Sequence, residues 1–280
     1  MFVIKQKEQL NKSVVRLVIH APAVAAKAQP GQFIILRVDE MGERIPLTIA
    51  DYDREEGTVT IIVQSVGATT YTLCNMQEGD SLQDFVGPLG RATDTDGLNK
   101  VAVIAGGVGA AIALPVAKKL YGQGTTVHAI CGFRNCDMVI LQDEFQQVSH
   151  NLITVTDDGS YGDKGLVTDA LRRLIDSGER YDQVIAIGPI PMMKYVSLLT
   201  AEYGIKTVVS MNPVMIDGTG MCGGCRLTVG GQVKFACVDG PEFDGHQVDF
   251  DEVMQRSRLY QSEERHAYEK ACNLLNKEVQ

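Results

Sequence analysis

The sequence lacks the features of a membrane, secreted or nucleic-acid-binding protein. No apolar run reaches the ~18 residues of a membrane-spanning helix, and the first ten residues, MFVIKQKEQL, contain no long apolar stretch typical of a signal peptide. Basic residues are too few for a general nucleic-acid or anionic-membrane binder, because 26 Lys and Arg stand against 35 Asp and Glu. Seven Cys, an odd and mostly scattered number, argue against a disulfide framework and for a reducing compartment. We therefore expect a globular protein of the cytoplasm that binds neither membrane nor nucleic acid.

The first 97 residues have the pattern of a small antiparallel β-barrel. At ~150 residues per domain, 280 residues predict about two domains with room for a further small unit. Short β-rich runs in this part are interrupted by Gly, Pro and Asp, and one short helix is expected at 69–76. The predicted strands are 14–19, 33–38, 58–63 and 80–85.

Residues 98–211 alternate between apolar strands and helices, which predicts a doubly wound parallel sheet. The expected strands are 101–105, 126–131, 152–156, 183–187 and 207–211, and the expected helices are 110–121, 142–148, 166–177 and 191–203. Residues 212–241 are rich in Gly, contain three of the seven Cys and predict a small irregular unit. Residues 242–280 are highly charged and predict a helical tail, which we expect to dock on a partner rather than close the core.

The strongest local motif is Cys222-Gly-Gly-Cys225, followed after eleven intervening residues by Cys237. Closely spaced thiolates with a distant third let several sulfurs converge on one inorganic centre, either an iron–sulfur cluster or zinc. A redox CxxC is a third reading, although that motif usually opens a helix after a strand, whereas this one lies in a glycine loop. Three Cys leave the set one ligand short. Asp217 stands four intervening residues before Cys222, where a plant-type cluster has a thiolate.

Glycine-bearing loops follow four of the predicted parallel strands. In open α/β sheets ligands bind outside the carboxyl ends of the strands, and a helix start there supplies N–H groups to a pyrophosphate. The dinucleotide fingerprint itself fails, because Ile112 stands where its third Gly would be. The acidic pair Asp157 and Asp158 disfavours an additional phosphate and so favours NAD(H) over NADP(H). The candidate residues are Gly106, Gly107, Val108 and Gly109; Gly132, Phe133 and Arg134; Asp157, Asp158, Gly159 and Ser160; and Gly188, Pro189 and Met192.

The barrel carries two weaker signals. Arg44, in Arg44-Ile-Pro-Leu-Thr48, is suited to bidentate contact with a pyrophosphate, and the Thr48 hydroxyl is suited to a hydrogen bond with a flavin ring. Residues 67–70, Gly-Ala-Thr-Thr, open the predicted short helix and are suited to holding a phosphate. By chemistry alone both segments are equally compatible with an ordinary surface.

Taken together and in this order, the motifs resemble the ferredoxin-NADP reductase superfamily. Within it they resemble the electron-transfer subunits of dihydroorotate dehydrogenase, sulfide dehydrogenase and NADH-dependent reduced ferredoxin:NADP oxidoreductase. The resemblance implies an N-terminal FAD-binding barrel, an α/β domain whose four loops hold NAD(H), and a 2Fe–2S cluster held by the Cys loop. We expect its ligands to be Cys222, Cys225 and Cys237 with Asp217 in the place of the fourth Cys; the alternative is that Asp217 only caps the turn and that water or a partner residue is the fourth ligand. It implies that FAD is held by Arg44, Pro46, Leu47, Thr48, Ile62, Val63, Gln64, Gly67, Thr69 and Thr70.

The expected function is that of an oxidoreductase subunit that passes electrons between NAD(H) and a partner. The resemblance implies a heterodimer with a larger flavin and 4Fe–4S subunit, which reaches ferredoxin and works by flavin-based electron bifurcation. No side chain is expected to act as a covalent nucleophile or strong base, since the cofactors carry the chemistry. The alternatives are an electron-transfer subunit of a dihydroorotate or sulfide dehydrogenase, and a zinc-stabilised interaction module without enzymatic activity.

Overall fold

Antiparallel strands with one buried face make up the N-terminal part of the chain. The computed structural model describes residues 2–278, and side chains through residue 272. The strands form two sheets, ordered β5-β6-β2-β1-β7 and β4-β3-β8, around one apolar core. The elements are β1 (Phe2–Asn11), β2 (Val14–His20), α1 (Pro22–Ala25), β3 (Phe33–Arg37), β4 (Ile45–Thr48), β5 (Asp51–Asp53), β6 (Thr58–Gln64), α2 (Ala68–Asn75), β7 (Ser81–Leu82) and β8 (Asp84–Leu89).

A seven-stranded sheet follows, in the order β12-β11-β10-β9-β13-β14-β17. Its strands are parallel except β17, which pairs antiparallel with β14. The central strands read as continuous apolar runs because helices cover both faces. The elements are β9 (Lys100–Gly106), α3 (Gly109–Gly122), β10 (Thr126–Phe133), α4 (Gln142–Gln147), β11 (Asn151–Thr156), β12 (Asp163–Lys164), α5 (Val167–Asp176), β13 (Gln183–Ile187), α6 (Ile190–Glu202), β14 (Thr207–Ser210) and β17 (Glu242–Asp244). The predicted order, antiparallel strands and then a doubly wound sheet, is confirmed.

The Cys-rich region contains a hairpin and leads back to the sheet. Its elements are β15 (Arg226–Val229), β16 (Gln232–Phe235) and α7 (Ala236–Asp239), and the chain then returns to the sheet edge as β17. Two helices end the chain, α8 (Phe250–Arg256) and α9 (Gln261–Glu278). No helix within residues 2–278 combines the length and apolarity that crossing a bilayer requires.

The charged tail was expected to dock on a partner rather than close the core, and this expectation is wrong for α8. Phe250 and Val253, one helical turn apart, are buried at 6% and 3% exposure in the core below the sheet. Asp249 caps the helix by accepting from Glu252 N at 2.9 Å. The α9 helix lies on α2, where the Tyr268 and Tyr71 rings meet edge to face at 5.6 Å. Arg258 and the charged residues 263–265 are exposed, whereas Glu252 and Arg256 of α8 are half-buried and contact the Cys-rich region.

Replacing Phe250 with Ala should therefore destabilise the whole chain. Removal of a buried Phe side chain leaves a cavity and costs about 3 kcal/mol or more in the free energy of unfolding. Denaturant unfolding at constant cofactor content measures the loss in the free energy of unfolding. The matched control is Leu259→Ala, because Leu259 is 60% exposed. Equal unfolding midpoints for the two variants would show that α8 does not close the core.

Candidate functional site

One large cleft separates the barrel from the parallel sheet. Its volume is about 1270 Å³, which exceeds the ~300–1,000 Å³ of ordinary small-molecule pockets. Strands β4 and β6 and the start of α2 form one wall, and the carboxyl ends of β9, β10, β11 and β13 form the other. The cleft has room for more than one ligand, with each wall contributing a different set of groups.

Most of the predicted FAD residues face this cleft. They are Pro46, Leu47 and Thr48 on β4, Ile62 and Gln64 on β6, and Thr70 on α2. Side chains alternate along β6, so Val63 points the other way and is fully buried in the barrel core. Val63 was expected to contact FAD, but its side chain points into the barrel core and cannot reach a ligand in the cleft.

The start of α2 offers backbone N–H groups rather than threonine hydroxyls. Thr70 Oγ1 accepts from Val66 N at 3.0 Å and from Gly67 N at 2.9 Å, so this side chain shapes the turn. Thr69 Oγ1 donates to Glu43 Oε2 at 3.1 Å. The first helical bond runs from Tyr71 N to Gly67 O, which leaves the N–H groups of residues 68–70 outside the helical ladder. A phosphate suits such a helix start.

Arg44 immediately precedes β4, whose residues line the cleft, and it contacts a distant part of the chain. Its Nε donates to the carbonyl oxygen of Ile216 at 2.9 Å. Its Nη1 is 3.8 Å from Asp84 Oδ2, which Arg37 Nε already holds at 2.7 Å. Arg44 therefore connects the barrel wall to the segment just before Asp217.

The loops at the sheet edge form the opposite wall. The predicted residues that line it are Gly106, Gly107, Val108, Gly109, Gly132, Phe133, Arg134, Asp157, Gly188, Pro189 and Met192. Asp158, Gly159 and Ser160 lie outside the wall, because their loop closes on itself. Asp158 Oδ1 accepts from Ser160 N at 2.9 Å and Ser160 Oγ at 2.6 Å, and these hydrogen bonds lower the pKa of Asp158.

Two glycines explain how α3 can begin directly at the cleft. Gly109 packs so closely on the end of β13 that a Cβ there would lie 2.5 Å from Ile187 O. Gly107 has a φ of +56° and faces open space, with its N–H donating to Gly132 O at 2.8 Å. The left-handed backbone at Gly107 turns the chain into α3 and leaves the positive end of the helix dipole open to an anion.

Other residues of the cleft were not predicted. The segment after β14 supplies Met211, Asn212 and Met215, and could have been found because it follows the fifth strand at the same sheet edge. No local sequence motif marks the groove between α5 and α6, because the groove forms only when the two helices pack together. Its residues include Leu166, Thr168, Asp169, Arg172, Tyr195, Leu198 and Glu202.

Two of the three predicted cysteine ligands are already adjacent. Cys225 and Cys237 are buried, and their sulfurs lie 3.3 Å apart. Burial raises the pKa of the Cys237 thiol to about 12, with the hydrogen bond to Cys225 as a further cause. A metal centre that binds there must therefore displace the thiol proton. Cys222 is exposed, and its sulfur accepts from Gly224 N at 3.4 Å.

Asp217 shapes the same loop through its carboxylate. Oδ1 accepts from the backbone N–H and the hydroxyl of Thr219, and Oδ2 accepts from Cys222 N at 3.0 Å. These hydrogen bonds, that of the Thr219 hydroxyl first, hold the pKa of Asp217 below its usual range. A carboxylate oxygen has two lone-pair directions, so Oδ2 keeps one for a metal.

The donor set is compatible with a two-iron cluster. Among the side chains described, residues 2–272, no three His, Cys, Asp or Glu converge on one ion position. A zinc site needs four donors at one point, whereas a 2Fe–2S cluster divides its ligands between two irons. The adjacent buried pair, with Cys222 and Asp217 set apart, is compatible with that division.

Comparison with known proteins gives matches over both halves of this site. Residues 212–249 match the iron–sulfur cluster binding domain of dihydroorotate dehydrogenase B, and residues 103–198 match the oxidoreductase NAD-binding domain. A Thermotoga maritima homologue of the dihydroorotate dehydrogenase B (NAD⁺) electron transfer subunit is 46% identical over 95% of this chain and 94% of its own. The corresponding electron transfer subunit of Streptococcus mutans is 33% identical over 89% of this chain and 97% of its own.

Solved structures agree with these sequence matches. The structure of an NADH-dependent reduced ferredoxin-NADP oxidoreductase, described for flavin-based electron bifurcation, contains a chain with TM-score 0.92 and 44% identity, covering 96% of this chain and 97% of that chain. The Amycolatopsis cytochrome P450 reductase shares the fold at TM-score 0.60 and 19% identity, over 72% of this chain and 65% of its own. These matches confirm the predicted resemblance, the oxidoreductase class, the NAD-binding domain and the iron–sulfur region.

The open space at Gly107 allows a test of whether the sheet-edge wall binds a dinucleotide. Gly107→Ala should weaken NADH binding on the order of tenfold, because its methyl group enters the cleft where the backbone must approach a pyrophosphate. The matched control is Gly124→Ala, at the far end of α3, where φ is +85° and space is also open. Both variants carry a similar backbone cost, so equal NADH dissociation constants for the two would exclude this wall from dinucleotide binding.

Proposed function

Because this chain belongs to the family of dihydroorotate dehydrogenase B electron transfer subunits and their homologues, we propose that it passes electrons between NAD(H) and a partner subunit. The observation that carries the proposal is the single cleft that joins the barrel residues to the glycine loops, with Met215, just before the Cys loop, in its wall. In this assignment residues 1–97 bind FAD, 98–211 bind NAD(H), 212–241 hold the cluster and 242–280 form the tail.

The barrel wall has the groups that FAD requires. The N–H groups of residues 68–70 and the Nη groups of Arg44 would serve the pyrophosphate, while Gly67, Thr69 and Thr70 belong to the turn that opens α2. Pro46, Leu47 and Ile62 offer apolar surface to the ring, and Thr48 and Gln64 offer hydrogen bonds. FAD held there would supply the redox chemistry, which is acceptance of a hydride from NADH and release of its electrons one at a time.

The opposite wall has the groups that NAD(H) requires. The glycine turn before α3 offers N–H groups to the pyrophosphate, and Gly188, Pro189 and Met192 border the region nearest the barrel. Asp157 lies in the wall, where its negative charge disfavours a 2′-phosphate and so selects NAD(H). The protein thus orients the dinucleotide against the barrel wall without a proton-transferring side chain.

Asp217, Cys222, Cys225 and Cys237 form the proposed ligand set for a 2Fe–2S cluster. Asp217 has the two tasks of bracing the loop and offering Oδ2 as a ligand. A carboxylate is a harder donor than a thiolate, and a change of ligand type is a recognised means of setting cluster potential. Met215, buried just before this loop, lies in the cleft wall, so the chain leads directly from the cleft to the cluster.

The partner is proposed to be a larger flavin and 4Fe–4S subunit in a heterodimer that reaches ferredoxin by electron bifurcation. Likeness to the NADH-dependent reduced ferredoxin-NADP oxidoreductase structure supports this choice. Met221 and Val238, on the cluster loop and α7, are exposed at 90% and 44%, as a docking surface requires. The names of the relatives favour a second candidate, electron transfer for dihydroorotate oxidation, and the identity of the chain that co-purifies distinguishes the two.

Anaerobic purification with Asp217 variants tests the proposal. The wild-type chain should contain stoichiometric FAD and iron in the ratio of a 2Fe–2S cluster. Asp217→Cys should keep the cluster and shift its midpoint potential and electron paramagnetic resonance signal, whereas Asp217→Ala should lose it. The matched control is Asp53→Ala, which removes another turn-capping carboxylate, far from the Cys loop in the chain.

Two results would contradict different parts of the proposal. A wild-type chain without flavin and iron would contradict the function. Spectra and potentials like those of wild type in both Asp217 variants would remove only Asp217 from the ligand set.

A further inference from the structure

The cluster loop rests on two separate supports. Arg256 Nη2, on α8, donates to Gly224 O at 3.1 Å, and Ala236 N donates to Cys225 O at 3.2 Å, so the cysteine side of the loop is held by the C-terminal unit. The Asp217 side lies on the barrel instead. A Cβ at Gly218 would be 2.8 Å from Leu89 on β8 and 2.9 Å from Ile35 on β3.

Arg44 provides the polar connection on the barrel side. It immediately precedes β4 and donates from Nε to Ile216 O at 2.9 Å, across 172 positions of sequence. Ile216 directly precedes Asp217, and its own side chain is 52% exposed, so apolar packing alone does not hold this part of the loop. The carbonyl of Ile216 is fixed by a charged donor, which makes a stronger hydrogen bond than a neutral one.

The geometry of the guanidinium leaves its other donors available. Arg44 uses Nε for Ile216, and its Nη1 lies 3.8 Å from Asp84 Oδ2, beyond hydrogen-bond distance, while Arg37 Nε holds that oxygen at 2.7 Å. The two Nη groups of Arg44 carry four further N–H donors in a planar fork. That fork can serve a phosphate and the loop carbonyl from different nitrogens, whereas a lysine must gather both acceptors around one nitrogen.

We propose that Arg44 is a shared positioning residue that holds the FAD pyrophosphate through its Nη groups and the cluster loop through Nε and Ile216. The inference rests on the proposed function for the FAD and cluster sites, and its new content is the link between them. A bound pyrophosphate fixes the guanidinium and so orders the Asp217 side of the loop. Linkage requires the reverse as well, so an ordered loop raises FAD affinity.

Removal of FAD separates the two tasks of Arg44. In protein stripped of FAD but retaining its cluster, Arg44 can affect the loop only through Ile216. Amide hydrogen exchange of residues 217–222 and the paramagnetic resonance signal of the reduced cluster report on the loop. Both should change in Arg44→Met, with loop exchange about tenfold faster because a charge-assisted hydrogen bond is lost. Adding FAD to wild type should slow that exchange, and adding it to the variant should not.

Arg44→Lys and Arg37→Met complete the comparison. Arg44→Lys keeps the charge and should retain more FAD than Arg44→Met, while its loop exchanges as fast as in the Met variant. Arg37→Met removes an equal charge beside the same Asp84 and leaves Ile216 untouched, so its loop exchange and resonance signal should match wild type. Exchange in β9 is the internal reference for folding, and Arg44→Lys decides the test if Arg44→Met unfolds.

The outcomes separate this inference from the proposed function. Wild type that holds both cofactors, together with Arg44 variants that lose FAD affinity but keep the loop exchange and resonance signal of wild type, would overturn the link alone. Wild type that holds neither FAD nor a cluster would overturn the proposed function and the link with it.

Discussion

The parallel register of the central sheet is the constraint on which the site depends. Gly132 on β10 pairs with Gly106 on β9, Ile187 on β13 pairs with Ala105, and Phe133 pairs with Thr156 on β11. Because these strands end in one row, the loops that follow them must share one edge. That edge faces the barrel, so residues from widely separated parts of the chain border one cleft.

The Cys loop is the third part of the candidate site, beyond the barrel wall and the sheet-edge wall of the cleft. The chain leaves β14 at the sheet edge, lines the cleft with Met211 and Met215, and then forms the loop before returning as β17. The loop is therefore tied to the sheet at both ends and lies against the barrel at Gly218. Packing of α8 below the sheet anchors its cysteine side through Arg256. The backbone and the loop-bracing side chains Asp217 and Arg256 therefore fix where the candidate cluster ligands stand.

The sequence predicts the parts of this structure that depend on short-range patterns. Strands β9 and β13 are buried on both faces and so read as apolar runs, and the glycines mark the turns that follow them. Strand β1 was missed because its polar residues KQKEQ show no alternation, and β17 because its pairing is decided by a sheet edge far back in the chain. The partner of Arg44 could not be read from the sequence either, since 172 positions separate it from Ile216.

We propose that this one chain carries electrons from NADH through the cleft to the Cys loop. Anaerobic titration of the isolated, cofactor-loaded chain with NADH tests it most directly, with flavin absorbance and the cluster's paramagnetic resonance followed in the same samples. NADH should reduce both centres, and NADPH at equal concentration should do so far less well because Asp157 lines the sheet-edge wall of the cleft. Flavin reduction that leaves a reducible cluster oxidised, or no reduction of either centre, would contradict electron transfer along this route.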